Sequence, residues 1–132
     1  MRRRPARAPR TDVTPMRKPN FTQLNELEPE MRSINVKCKA ATPPKRVSDY
    51  WEVLVGDSTA CILLNISKQD LAESIKPESS IVVRNGFVLM KDEKFMRLAV
   101  NMWGKIEVSA EAFEFAPNTS ENLSAVEYEL AS

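Results

Sequence analysis

From residue 32 to residue 41 the chain alternates: Ile34, Val36, Cys38 and Ala40 fall on one face, Ser33, Asn35, Lys37 and Lys39 on the other. A period of two with one polar face predicts a half-buried strand. Residues 50–55 predict a second strand, closed by the turn residues Gly56-Asp57-Ser58-Thr59, and residues 60–66 a third that completes a hairpin. The period then changes. Ser67 stands as an N-cap with Asp70 three residues on, Leu71 and Ile75 are spaced i, i+4, and Pro77 stops the pattern, which predicts one short helix. Residues 80–85 and 87–91 predict a long fourth strand with a bulge or sharp bend at Gly86. After the turn Asp92-Glu93-Lys94, residues 95–101 predict a fifth strand, with Met96, Leu98 and Val100 inward and Phe95, Arg97, Ala99 and Asn101 outward.

The segments between are less regular. Residues 21–31 read as a strand or turn pinned by Leu24 and Leu27, and residues 41–49, with Pro43-Pro44, read as a loop. Trp103-Gly104-Lys105 breaks the fifth strand, and residues 106–108 add a short apolar strand end. Trp51 is in phase with Val53 and Val55 and is expected in the core, and Trp103 is expected to pack the end of the barrel. Three strands, one short helix and two strands within about 90 residues predict an all-β fold. The order is that of a five-stranded OB-fold (Greek-key) barrel with the helix between strands 3 and 4 plugging one end. Closure needs bent strands, and Gly86 sits where a bend is required. An SH3-like barrel, the main rival, has no helix at that point.

Composition removes whole classes of chemistry. With 132 residues there is room for one domain, and no apolar run approaches the roughly 20 residues that span a bilayer. Histidine is absent, so triads and imidazole-based hydrolysis cannot be written, and the chain is read as a non-enzyme. The three glycines stand singly, which excludes a phosphate-cradling loop. Cys38 and Cys61 are too few and too far apart for zinc and are expected as small buried hydrophobes. No metal or other cofactor is expected.

Charge divides the chain. Residues 1–19 carry seven bases and one acid, net +6, whereas residues 106–132 carry six acids and no base, net −6. The domain reading is therefore a basic, disordered arm over 1–19, a barrel over 20–109, and an acidic extension over 110–132. Phe113, Phe115, Leu123 and Tyr128 interleave with the extension's glutamates, so it is expected to pack along the barrel, either screening a binding groove or pairing with the arm. The arm fits phosphate contact, a solvated tail or a targeting address. Expected compartments are the nucleus or cytoplasm, with the mitochondrion as a third from the arginine bias.

Several stretches carry a family resemblance. Residues 54–59 (LVGDST), residues 81–85 (IVVRN), the run 96–108 (MRLAVNMWGKIEV), the opening 17–22 (RKPNFT) and the closing 122–130 (NLSAVEYEL) resemble small plant and protist OB-fold proteins. These are relatives of the single-stranded DNA-binding subunit of the complex that senses single-stranded DNA at damage sites. The resemblance implies nucleic-acid binding across the second and third strands and the flanking loops, in DNA repair or RNA handling. Ala99 falls near a position where the DNA-damage relative stacks a base on an aromatic ring.

A binder of single strands needs flat π-faces and a cationic track. The outward face offers Tyr50, Phe87 and Phe95 for stacking, with Lys37, Lys39, Arg84, Lys91, Lys94 and Arg97 around them and Lys45 and Arg46 in the first loop. Phe87 follows the bend and reads slightly more as a cap on the core than as a stacking face. The expected partner is single-stranded DNA or RNA. The alternative is an adaptor subunit whose barrel docks other proteins of a genome-maintenance or RNA-handling assembly.

Overall fold

The structure, a computed structural model, describes residues 20–129. Its strands are β1 (Ile34–Ala40), β2 (Lys45–Val47), β3 (Tyr50–Gly56), β4 (Cys61–Ile66), β5 (Ser80–Lys91), β6 (Phe95–Ala99) and β7 (Lys105–Val108), with one helix, α1 (Gln69–Ser74). Single 3-10 turns at Leu24–Glu26 and Leu123–Ala125 flank them. Neighbours run β1-β3-β4-β6-β5, and β5 returns to pair with β1, so five strands close into a ring. That is the OB-fold barrel. Val36, Cys38, Val53, Val55, Ile62, Leu64, Ile81, Val83, Met96 and Leu98 fill it, each wholly buried, as the period-two alternation of their strands requires.

The helix lies between β4 and β5, not between the third and fourth strands of the chain, because residues 41–49 are not only a loop. Lys45–Val47 pairs antiparallel with β3, matching Lys45 to Glu52, Arg46 to Trp51 and Val47 to Tyr50. Ser48 makes that tight turn possible at φ 58, in the left-handed region. Its start also differs from the expected one: Lys68, not Ser67, is the N-cap, and it makes no side-chain capping bond. Ala72 and Ile75 are the buried anchors of this six-residue helix.

β5 bends where it changes partners. Ile34 pairs with Gly86 but Val36 pairs with Val83, so one extra residue bulges from β5. Asn85, at φ 52, takes the left-handed conformation. Gly86 answers a different need, close approach: a Cβ there would stand 3.0 Å from Val83 Cγ1 and 3.1 Å from the Ala99 carbonyl.

Between β4 and β6 the ring is held by a single parallel pair, Leu64 with Leu98. The C-terminal segment fills that seam. The Ser124 hydroxyl accepts from the Leu63 N–H (2.9 Å) and donates to the Met96 carbonyl (2.6 Å). The Cys61 N–H donates to the Glu121 carbonyl (2.9 Å), and the Tyr128 N–H to the Lys94 carbonyl (2.9 Å). Upstream, Phe113 is buried, stacks on Phe115 with centroids 5.7 Å apart, and its N–H donates to Ser80 Oγ (2.9 Å). The β3–β4 turn is tied down by Asp57, a buried carboxylate that accepts from the Thr59 N–H (2.8 Å), the Thr59 hydroxyl (2.6 Å) and the Leu24 N–H (2.9 Å). No helix among the described residues is long and apolar enough to cross a membrane.

Candidate nucleic-acid interface

The outer faces of β3, β4, β5 and β6, the start of the helix and the β6–β7 loop enclose a groove of about 690 Å³. Tyr50, Asn65, Phe87 and Leu89 line it from the strands, Lys68 from the helix start, Met102 from the loop and Lys105 from the start of β7. Ala99 forms part of the lining as well and is buried, so the floor is flat where a larger side chain would stand. Groove volumes of roughly 300–1,000 Å³ suit extended small ligands or a few flat rings.

The β6–β7 loop lifts two apolar side chains into water. Met102 is 83% exposed and Trp103 75%, against the usual tendency of tryptophan to be mostly covered. The backbone beneath them is fixed. The Trp103 N–H donates to Asn101 Oδ1 (2.9 Å), the Gly104 N–H to the Asn101 carbonyl (3.0 Å), and Asn85 Nδ2 to the Trp103 carbonyl (3.1 Å). Gly104 permits the close approach, since a Cβ there would meet the Asn85 carbonyl at 2.7 Å. A rigid loop presenting a free indole loses little conformational entropy when something stacks on it. Trp103 was expected at the barrel end as packing; it stands instead in solvent beside the groove.

Of the residues singled out from the sequence, Tyr50 and Phe87 meet in the groove, both half-buried with ring area left open. On β2 both Lys45 and Arg46 are exposed, but Lys45 lies opposite Glu52, on the face of β3 that carries Tyr50, whereas Arg46 lies opposite Trp51 on the other face. The Arg46 guanidinium lies 4.6 Å from the centre of the Trp51 ring and its Nε donates to the Ser48 carbonyl (2.9 Å). Trp51 is therefore half-buried under a cation, only partly in the core where its phase had placed it.

Other cations are already engaged. Arg97 points away from the barrel interior but is buried under the C-terminal segment; its Nε donates to Glu52 Oε2 (2.9 Å) and its Nη1 to the carbonyls of Met96 (3.1 Å) and Ser124 (3.4 Å). Lys91 approaches the same Glu52 oxygen at 4.0 Å, and Lys94 pairs with Glu127 at 3.5 Å. Phe95 opposes Lys91 at the start of β6, half-buried and outside the groove lining. Arg84 and Lys37 gather around Phe21, at 5.9 Å and 4.7 Å from its ring centre, on β5 and β1 outside the groove lining. Arg84 also pairs with Glu107 (2.9 Å), and hydrogen bonds from Arg84 and Lys105 hold the Glu107 carboxyl below the usual carboxylate range. Lys39 is half-buried on β1, opposite Gly56 and Ser80. The basic arm over 1–19 lies outside the described residues. Cys38 and Cys61 are both buried, and burial pushes both thiols up, so neither offers a thiolate.

Sequence reasoning missed Asn65, Lys68, Met102, Trp103 and Lys105. The signal for the loop was present as Asn101-x-x-Gly104, a turn pattern that fixes the backbone and leaves the intervening side chains outside.

Comparison with known proteins agrees with the topology. A sequence model of the family described as single-stranded DNA binding protein Ssb-like, OB fold, matches residues 24–108. An uncharacterized protein of Arabidopsis thaliana is 32% identical over 135 residues, covering 89% of this chain and 86% of its own. The solution structure of a hypothetical protein from Arabidopsis thaliana is similar with a TM-score of 0.70 at 29% identity, over 96% of this chain and 98% of that one. The seam-filling segment thus lies beyond the family match but largely within the span shared with the solved relative.

Proposed function

The chain belongs to the Ssb-like family of single-stranded DNA-binding OB folds, and from that premise we propose that it binds a single strand of nucleic acid in the groove between Tyr50 and Trp103. The observation that carries this reading is Trp103: an indole three-quarters exposed on a hydrogen-bonded loop whose Met102 and Gly104 line a groove containing two further aromatic rings. Tyr50, Phe87 and Trp103 supply stacking faces, each worth roughly 1–3 kcal/mol per base. Lys45 on β2 and, at the groove, Lys68 and Lys105 guide the phosphates. With so few cations at the groove, salt dependence is modest, with a log–log slope of roughly −2 for a single strand before any contribution from the arm. Stacking reads DNA and RNA alike, so both are substrates on this reading.

A second reading has its own support. Arg84, Lys91, Lys94, Arg97 and Lys105 are paired with carboxylates, and Leu89 and Met102 present apolar surface in the groove, as a protein-docking subunit would. Fluorescence anisotropy separates the two, using labelled single-stranded DNA, single-stranded RNA and duplex at several salt concentrations. Saturable binding to single strands, weaker to duplex and falling with salt, supports the groove. No binding at low salt removes it and leaves the docking subunit.

A further inference from the structure

The groove continues onto a second face at Lys105. That residue lines the groove and stands directly opposite Arg84 across the β5–β7 ladder. Two residues on, Glu107 stands opposite Val82, and Val82 stands opposite Lys37 on β1. Cross-strand partners, and residues two apart on one strand, share a face. Lys105, Arg84, Glu107 and Lys37 therefore form one strip on the outside of three adjacent strands. Its members are joined. Glu107 pairs with Lys105 (3.2 Å) and Arg84 (2.9 Å), and the centre of the Phe21 ring lies 5.9 Å from the Arg84 guanidinium and 4.7 Å from Lys37 Nζ. Three exposed bases against one acid leave the strip net positive.

We propose that this strip is a track for the nucleic-acid backbone, followed by a single strand that leaves the groove at Lys105 and crosses β5 to Lys37 on β1. The inference rests on the single-strand reading of the groove and extends its footprint. Strands lie about 4.8 Å apart, so the crossing covers roughly 10 Å, room for about two or three phosphates.

Charge, preparation and position all favour that occupant. Arg84 offers a guanidinium fork, which suits phosphate, and its exposed ion pair with Glu107 is of the kind that contributes little in water. A phosphate can therefore take the place of the Glu107 carboxylate at Arg84 and Lys105 with small loss. Phe21 holds Lys37 and Arg84 against its ring before anything binds, which reduces the side-chain freedom lost on contact. Residues 1–19, net +6, join the chain beside Phe21, where the Asn20 carbonyl accepts from Asn35 Nδ2 (3.2 Å). Asn35 Oδ1 in turn accepts from the Asn85 N–H (3.0 Å), and Asn85 Nδ2 donates to the Trp103 carbonyl, so one hydrogen-bonded path ties this corner to the loop of the exposed indole. An acidic protein would match the charge of the strip but not its continuity with an aromatic groove.

The test titrates labelled thymine strands of about six and about twenty nucleotides against the full chain and against Lys37→Gln/Arg84→Gln, reading anisotropy at several salt concentrations. The short strand fills the groove alone; the long one also reaches the strip. For the long strand, the double variant is expected to bind about tenfold more weakly at about 0.1 M salt. Its log–log salt slope should be shallower by about 1.4, the loss of two phosphate contacts. Short-strand affinity should stay within about twofold. The arm is present in both chains, so it does not enter the difference. Unchanged affinity and slope for the long strand overturn the track and leave the strip to an acidic protein. An equal loss for both lengths also overturns it, since the two residues then act on the groove itself. If neither strand binds the natural chain, the groove reading falls with the track. Should the double variant lose its fold by near-UV circular dichroism, Lys37→Gln alone replaces it. About threefold weaker long-strand binding is then expected, and no change overturns the track.

Discussion

The outer surface of the barrel is treated in two opposite ways. Along the β4–β6 seam the chain covers its own strands: Ser124 satisfies the Leu63 N–H and the Met96 carbonyl, and Arg97 is enclosed with Glu52. A few residues away the same sheet is left uncovered, with Tyr50 and Phe87 half-exposed in the groove and Trp103 in water. A chain that closes one gap so completely has the means to close the other. The open region differs in chemistry as well as in coverage, since its rings are what a flat ligand complements.

Several experiments break or sharpen that contrast. Removing residues 110–132 is expected to have the largest effect, because it strips Phe113, Ser124 and the seam hydrogen bonds together. A loss of more than about 4 kcal/mol is expected in urea denaturation. A truncated chain that unfolds at the natural midpoint would show that the seam needs no cover. Next comes Glu52→Ala, which leaves Arg97 buried without its carboxylate and is expected to cost about 3 kcal/mol by the same measurement. Unchanged stability would mean that Arg97 finds water.

Trp103→Ala reverses the pattern. It should leave the denaturation midpoint within experimental scatter while weakening single-strand binding about tenfold, the loss of one stacking face. A midpoint shift larger than the affinity loss would place Trp103 in the packing after all. The smallest effect is on pH. Because the Glu107 carboxyl is held below its ordinary range in the folded chain, its contribution is present above the unfolded value. That contribution disappears as pH falls through the folded value, and Glu107→Gln should flatten this part of the acid limb of a stability–pH curve. An acid limb identical in both chains would show that Arg84 and Lys105 contribute nothing through it.

The barrel was largely legible in the sequence because its strands are short and their periodicity is local. The alternation of Ile34, Val36, Cys38 and Ala40 is carried straight into the buried face of β1. What escaped depends on contacts far apart in the chain. β2 is too short to show a period and exists because Ser48 accepts a left-handed φ next to β3. Arg97 reads as an outward cation by alternation, and only the return of residues 121–128 to the same strand makes it a buried one. Asn65 was invisible for the same reason: its place in the groove lining is a property of the assembled sheet. Trp103 misled because composition says that tryptophan packs, whereas the clamp from Asn85 and Asn101 faces it outward.

The most direct test of the open groove uses the fact that the chain has two tryptophans. In Trp51→Phe, Trp103 is the sole indole, and its emission can be followed while single-stranded DNA is added. The account predicts solvent-exposed emission in the free protein, quenched saturably by single strands at the concentration that saturates anisotropy, with duplex far less effective. Anisotropy that saturates while Trp103 emission stays unchanged would place the nucleic acid elsewhere on the molecule and contradict the account.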